Sequence, residues 1–111
     1  MVKGKIVLIP FPFDDFTETK IRPVLCLTEP IGPNNHIVIA FITSKVITNS
    51  LETDLIIKSD NPNFKTTGLH VSSTVQLHRL MTVSSSVIRR ELGTLSSEIL
   101  NKAIKKVNSL F

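Results

Sequence analysis

The chain has 111 residues, of which 41% are hydrophobic and 20% charged, so it has the composition of one globular domain rather than of a disordered segment. Its formal net charge of +4 permits an anionic partner without demanding one, and the absence of Trp and Tyr argues against aromatic platforms for stacked bases. The single cysteine, Cys26, excludes an intrachain disulfide and a cysteine-based metal cluster within one chain.

The N-terminal part of the chain predicts three apolar strands joined by polar segments. Lys5–Phe11 is the first, and its prolines place its end at a sheet edge because proline cannot donate to a ladder. This run is too short to span a membrane and does not look like an export signal, so we expect a cytoplasmic protein. A polar loop over residues 12–21 leads to the strand Pro23–Thr28. A turn then leads to the nearly all-apolar strand His36–Thr43, which should be buried on both faces.

The second half of the chain predicts shorter strands and one helix. We expect four strands, at Leu55–Lys58, Gly68–Val71, Ser73–Val83 and Glu91–Leu95. One helical turn is expected inside residues 84–90. Ser96 should cap a terminal helix in which Glu98 faces the helix dipole and apolar residues recur at helical spacing. The lysines of that helix are typical of a solvated face rather than of a nucleic-acid patch.

The strand Ser73–Val83 contains an irregularity that bears on function. Strict alternation along the strand puts four apolar side chains on one face, those of Val75, Leu77, Met81 and Val83. Arg79 falls on the same face and interrupts this apolar pattern. Either Arg79 points into a functional pocket or a bulge near it re-aims the strand, and we favour a bulge or an edge position.

Two polar residues stand at the joints of the N-terminal strands, Arg22 before the second and Thr43 at the end of the third. Pro23 biases Arg22 toward an extended conformation. If these strands are neighbours, both side chains can face one groove. An arginine before one strand and a threonine at the end of another are more often a solvated side chain and an ordinary strand residue. Their positions in the sequence therefore do not by themselves assign a site.

The order of these segments resembles the MazF/PemK family of toxin endoribonucleases from bacterial toxin–antitoxin modules. The resemblance covers the whole chain and is carried by Gly4-Lys5-Ile6-Val7, Arg22-Pro23-Val24-Leu25, Ile42-Thr43-Ser44, a late strand ending Thr82-Val83, Leu92-Gly93-Thr94-Leu95-Ser96 and the terminal helix. It implies one toxin domain over residues 1–111, mainly β, folded as an SH3-like barrel with a C-terminal α-helix. It also implies a homodimer that cleaves single-stranded RNA without a metal or other cofactor, and a cognate antitoxin that occupies the same groove.

Metal-free RNA cleavage needs a charged group at phosphorus, because the 2′-OH attacks its own phosphate and leaves a cyclic phosphate and a 5′-OH end. By the resemblance, Arg22 and Thr43 are the catalytic candidates: the guanidinium can stabilise the phosphorane and aid the leaving group, and the hydroxyl can orient the phosphate. The RNA-binding candidates are Lys20, Lys45, His78 and Arg79. No pair of histidines has metal-ligand spacing, so no metal site is expected.

One departure from the family keeps alternatives open. Relatives often carry an arginine and an aspartate in the segment aligned with residues 81–84, where this chain has Met81 and Ser84, and Arg79 or His78 is the nearby replacement. A catalytically decayed barrel that only binds RNA or a protein is therefore one alternative. A gyrase-directed toxin of the same fold is the other, although Arg22-Pro23 and Ile42-Thr43 argue against it.

Overall fold

The computed structural model describes residues 1–12, 19–45 and 50–111, and these form a strand-rich chain that ends in a helix. The elements are β1 Lys5–Pro12, β2 Thr19–Cys26, β3 His36–Thr43, β4 Asp54–Ile57, β5 Ser73–Ser84, β6 Arg90–Thr94 and α1 Ser97–Asn108. Short 3₁₀ turns occur at Lys65–Thr67 and Ser85–Val87. The second turn falls inside the segment predicted to hold one. The strand predicted at Gly68–Val71 is wrong, because Gly68 has a φ of 73° and ends the first turn in a left-handed conformation.

The described strands form one antiparallel sheet in the order β4-β5-β3-β2-β1-β6. The sheet curls into a half-barrel, which confirms the predicted mainly β fold with a C-terminal helix. The helix begins where its cap was predicted, since Ser96 Oγ accepts a hydrogen bond from the Ile99 N–H at 3.3 Å and Glu98 lies in the first turn.

Apolar side chains fill both faces of the sheet. The first core cluster packs the sheet against α1 and includes Ile6, Leu25, Ala40, Val75, Leu77, Ile99 and Ala103. The second core cluster lies on the opposite face and includes Val7, Ile9, Val24, Cys26, Ile37 and Ile39. Since β3 contributes to both clusters, its predicted burial on two faces is confirmed. Each fully buried Ile or Leu contributes roughly 1.5–3 kcal/mol to stability.

The prolines of β1 lie at a sheet edge, as predicted, whereas β2 starts earlier than predicted. β1 pairs with β2 as far as Pro12, but with β6 only up to Leu8, so Pro10 and Pro12 lie where no β6 partner needs an N–H. β2 accordingly begins at Thr19 rather than Pro23, and Arg22 lies inside the strand opposite Ile9. The rest of the predicted loop before it lies partly outside the described residues.

β5 contains the bulge that the sequence favoured, and it is three residues long. Phe41 pairs with Gln76 while the preceding residue, Ala40, pairs with Leu80, so residues 77–79 have no partner in β3. An odd insertion exchanges the two faces of the strand. The single apolar face predicted for β5 is therefore wrong: Val75 and Leu77 belong to the first core cluster, whereas two later residues, Met81 and Val83, pack against the second.

Candidate functional site

A groove of about 480 Å³ opens where β2, β3 and β5 separate. The strands separate here because the β2–β3 pairing ends at Val24 and Phe41, and because β5 bulges beside Phe41. The groove is lined by residues of four strands and of the turn after β3. These are Phe11 of β1, Arg22 of β2, Phe41, Ile42 and Thr43 of β3, Ser44 and Lys45 of the turn, and Gln76 and Arg79 of β5. Four of the six predicted site residues therefore meet in one cavity.

Arg22 and Thr43 lie on the same face of the sheet. Val24 and Phe41 form the last pair of the antiparallel β2–β3 ladder, and Arg22 and Thr43 each lie two residues beyond that pair. Residues two apart in a strand share a face, and both side chains line the groove. The exposed guanidinium of Arg22 and the half-buried hydroxyl of Thr43 can thus contact one small anionic group.

The Thr43 hydroxyl has a defined polarity. Its Oγ1 accepts a hydrogen bond from the Lys45 N–H at 3.3 Å, which leaves the O–H free to donate into the groove. The carbonyl of Lys45 accepts from Thr74 Oγ1 at 2.9 Å, so the turn after β3 is held from both sides. The Lys45 backbone is therefore held in place, and its exposed side chain lines the groove.

The bulge of β5 places Arg79 in the groove. The sequence suggested either that Arg79 points into a pocket or that a bulge lies near it, and the structure has both. Arg79 donates from Nη1 to Gln76 Oε1 at 3.1 Å, and its Cζ lies 4.8 Å from the centroid of the Phe41 ring. Phe41 in turn contacts Phe11, with ring centroids 4.9 Å apart. Phe11 and Phe41 thus provide an aromatic wall in the groove, although the absence of Trp and Tyr argues against aromatic platforms.

The other two predicted RNA-binding residues do not line the groove. Lys20 lies opposite Phe11 on β2 and is exposed. His78 is in the bulge, but its Nδ1 lies 3.0 Å from Thr53 Oγ1, which holds the ring toward the segment before β4. Which bulge residue turns into the groove cannot be read from the sequence, because it depends on where the pairing with β3 resumes.

The positions that are often charged in the family have structural contacts here. Met81 packs against the second core cluster. Ser84 caps the second 3₁₀ turn, where its Oγ accepts from the Ser86 N–H at 3.3 Å. Arg79 supplies a cation to the groove instead.

A second cavity of about 330 Å³ lies beside the first and shares Arg22, Ile42 and Ser44 with it. His70 and Arg90 also line this cavity, so Arg22 stands between two concave surfaces.

Cys26 has no place in this chemistry. It is fully buried in the second core cluster, and burial raises the pKa of its thiol to about 11, so it stays protonated near neutral pH. Within residues 1–12, 19–45 and 50–111, no three His, Cys, Asp or Glu side chains cluster as metal ligands would. No helix in the same ranges is long and apolar enough to cross a membrane.

Comparison with known proteins places the groove in a family context. The model of the PemK-like, MazF-like toxins of type II toxin–antitoxin systems matches residues 2–111. No curated protein sequence matches the chain.

Solved structures share the fold. The chain is similar to the Mycobacterium tuberculosis toxin MazF-mt6, with 22% identity, coverage of 95% of this chain and 93% of that one, and a TM-score of 0.69. It is similar to MazE-MazF (Form-II) from Deinococcus radiodurans, with 17% identity, coverage of 99% and 94%, and a TM-score of 0.76. An endoribonuclease in complex with its cognate antitoxin, from mycobacterial species, shows 12% identity, coverage of 98% and 92%, and a TM-score of 0.69.

Proposed function

Because the chain belongs to the family of PemK-like, MazF-like toxins of type II toxin–antitoxin systems, whose members are endoribonucleases, we propose that it is itself a metal-independent endoribonuclease. Its substrate is single-stranded RNA, which it cleaves to 2′,3′-cyclic phosphate and 5′-OH ends. The observation that carries this proposal is the meeting of Arg22 and Thr43 in one groove, with Lys45 and Arg79 on its walls.

In this mechanism Arg22 stabilises the charge that develops at phosphorus. A guanidinium stays protonated and can hold two phosphoryl oxygens at once, so it favours the phosphorane over the ground-state phosphodiester. The O–H of Thr43, whose oxygen already accepts from the Lys45 N–H, donates to a phosphoryl oxygen and fixes the phosphate for in-line attack. DNA lacks the attacking 2′-OH and should not be cut.

Lys45 and Arg79 would hold the phosphates that flank the cut, which makes binding dependent on salt. Arg79 also provides the positive charge that Met81 and Ser84 do not, and this supports the enzyme over a decayed barrel that only binds. An endoribonuclease of this fold has been solved in complex with its cognate antitoxin, so we expect a cognate antitoxin to cover the same groove. We also propose a homodimer that acts in the cytoplasm, as the resemblance implies.

The test is cleavage of a long single-stranded RNA by the purified protein in EDTA, with mapping of both new ends. We expect discrete cuts that leave a cyclic phosphate and a 5′-OH. Arg22→Ala should slow cutting by roughly 100- to 1,000-fold, as loss of one transition-state donor does elsewhere. Thr43→Val should slow it by about tenfold and Thr43→Ser should retain most activity, since serine keeps the hydroxyl.

Two results would contradict the proposal. Intact RNA with a folded wild-type protein would remove the nuclease activity. Equal rates for wild type and Arg22→Ala would remove Arg22 from the mechanism and point to another part of the chain.

A further inference from the structure

Next to the bulge of β5, the groove presents a side chain whose chemistry the cleavage reaction does not use, the amide of Gln76. It lines the groove and is half-buried. Its partner across the sheet is Phe41, on whose ring Arg79 rests, so the amide lies beside an aromatic ring and a cation. Such surroundings suit a nucleobase, because bases stack on aromatic rings and on guanidinium groups.

Arg79 determines which end of the amide is available. An arginine has only donors, so the 3.1 Å contact from its Nη1 must use the carbonyl oxygen of Gln76. The amide nitrogen makes no hydrogen bond with the part of the chain that the structure describes. Among the described residues the one buried side-chain atom without a partner is Asp54 Oδ1, so the amide nitrogen of Gln76 is open to the solvent of the groove and can donate to an acceptor on a bound ligand.

We infer that Gln76 is a base-reading residue of the groove that selects a nucleobase with a carbonyl oxygen, uracil or guanine, over one with an amino group, cytosine or adenine, next to the scissile phosphate. The inference rests on RNA as the ligand of the proposed function. The amide N–H groups donate to O4 of uracil or O6 of guanine. Cytosine and adenine carry an amino group at the same position, and because an amino group is itself a donor it cannot accept a hydrogen bond from the amide nitrogen. Arg79 is the positioning residue, since its hydrogen bond keeps the amide from turning over.

The substitution Gln76→Glu gives a sharp test because it preserves shape and reverses polarity. The carboxylate can still accept from Arg79, but it offers the base only an acceptor, which suits cytosine or adenine. Gln76→Ala removes the contact. Asn101→Ala, which deletes an exposed amide on α1 away from the groove, is the matched control.

The experiment uses two pools, random-sequence RNA for cleavage in EDTA and random-sequence 2′-O-methyl RNA for binding, with sequencing of cut ends and of bound molecules. Wild type should prefer uracil or guanine by about tenfold at one position near the cut, with the same preference among bound molecules. Gln76→Ala should lose this preference, Gln76→Glu should shift it toward cytosine or adenine, and Asn101→Ala should retain it. Preferences at other positions should not change.

The outcomes separate the inference from the proposed function. Cleavage with the same base preference in wild type and both Gln76 variants overturns the inference and leaves the nuclease standing. Binding without cleavage, with a preference that follows Gln76, overturns the nuclease and supports the base reader. Neither binding nor cleavage by the folded protein overturns both.

Discussion

Lys45 provides the cleanest test of how the groove holds an RNA chain, because its backbone is fixed while its charged side chain is exposed. The substitution Lys45→Met removes the charge and leaves the two hydrogen bonds of the turn in place. Among the described residues, three cations line the groove, Arg22, Lys45 and Arg79. For single strands, the slope of log affinity against log salt is about −0.7 per phosphate neutralised, which gives a slope of about −2.1 for the wild type and about −1.4 for the variant.

These slopes give a measurable difference. Between 50 and 200 mM salt, the affinity of the wild type should fall by roughly 18-fold and that of Lys45→Met by roughly 7-fold. The assay is fluorescence anisotropy with a 2′-O-methyl RNA oligonucleotide, which lacks the attacking hydroxyl and therefore survives the titration. Lys102→Met is the matched control, because it makes the same change in net charge on the exposed face of α1.

The reasoning fails if Lys45→Met keeps the wild-type slope, since Lys45 would then neutralise no phosphate. It also fails if Lys102→Met lowers the slope equally, because RNA would then respond to the overall charge of the protein rather than to the groove.

Two further predictions concern the packing of the fold away from the groove. A Cβ on Gly93 would lie 2.2 Å from the backbone oxygen of Thr66, so Gly93→Ala should cost roughly 1–3 kcal/mol in the free energy of urea unfolding. Gly32→Ala, whose Cβ meets nothing within 4 Å, should lose only about 1 kcal/mol to its left-handed backbone, and equal losses would show that the contact at Gly93 relaxes freely. The pKa of the Cys26 thiol is raised from 9.0 to about 11, so its contribution to stability is complete below pH 9 and is lost as the pH rises toward 11. Wild type should therefore lose about 2 kcal/mol more than Cys26→Ala between pH 8 and pH 11, and parallel losses would contradict the buried thiol.

The parts of the fold that could be predicted depend on local signals. β3 has the predicted bounds because an uninterrupted apolar run flanked by turn residues has few alternatives, and α1 begins after its predicted cap at Ser96. The predicted start of β2 is too late because the segment from Thr19 to Arg22 is mostly polar, and its extended conformation comes from pairing with β1, which is a contact distant in sequence.

The same distinction explains the site. Arg22 and Thr43 could be predicted to share a groove, since each stands near the end of an apolar run and neighbouring strands would bring them together. The contact between Gln76 and Arg79 could not, because the direction of Arg79 depends on the bulge of three unpaired residues, whose number is set by where the pairing with β3 resumes. Lys20 and His78 had suitable charge and position along the chain, yet the groove is lined without them.

The length of the β5 bulge also limits how this chain can vary. Because three is odd, β5 changes faces between Gln76 and Leu80, and both core clusters depend on that exchange. Deleting or inserting one residue within 77–79 would turn Met81 and Val83 toward the wrong cluster, whereas a change of two residues would preserve the facing of the whole strand. Relatives should therefore tolerate length changes in pairs within this bulge, but not single-residue insertions or deletions.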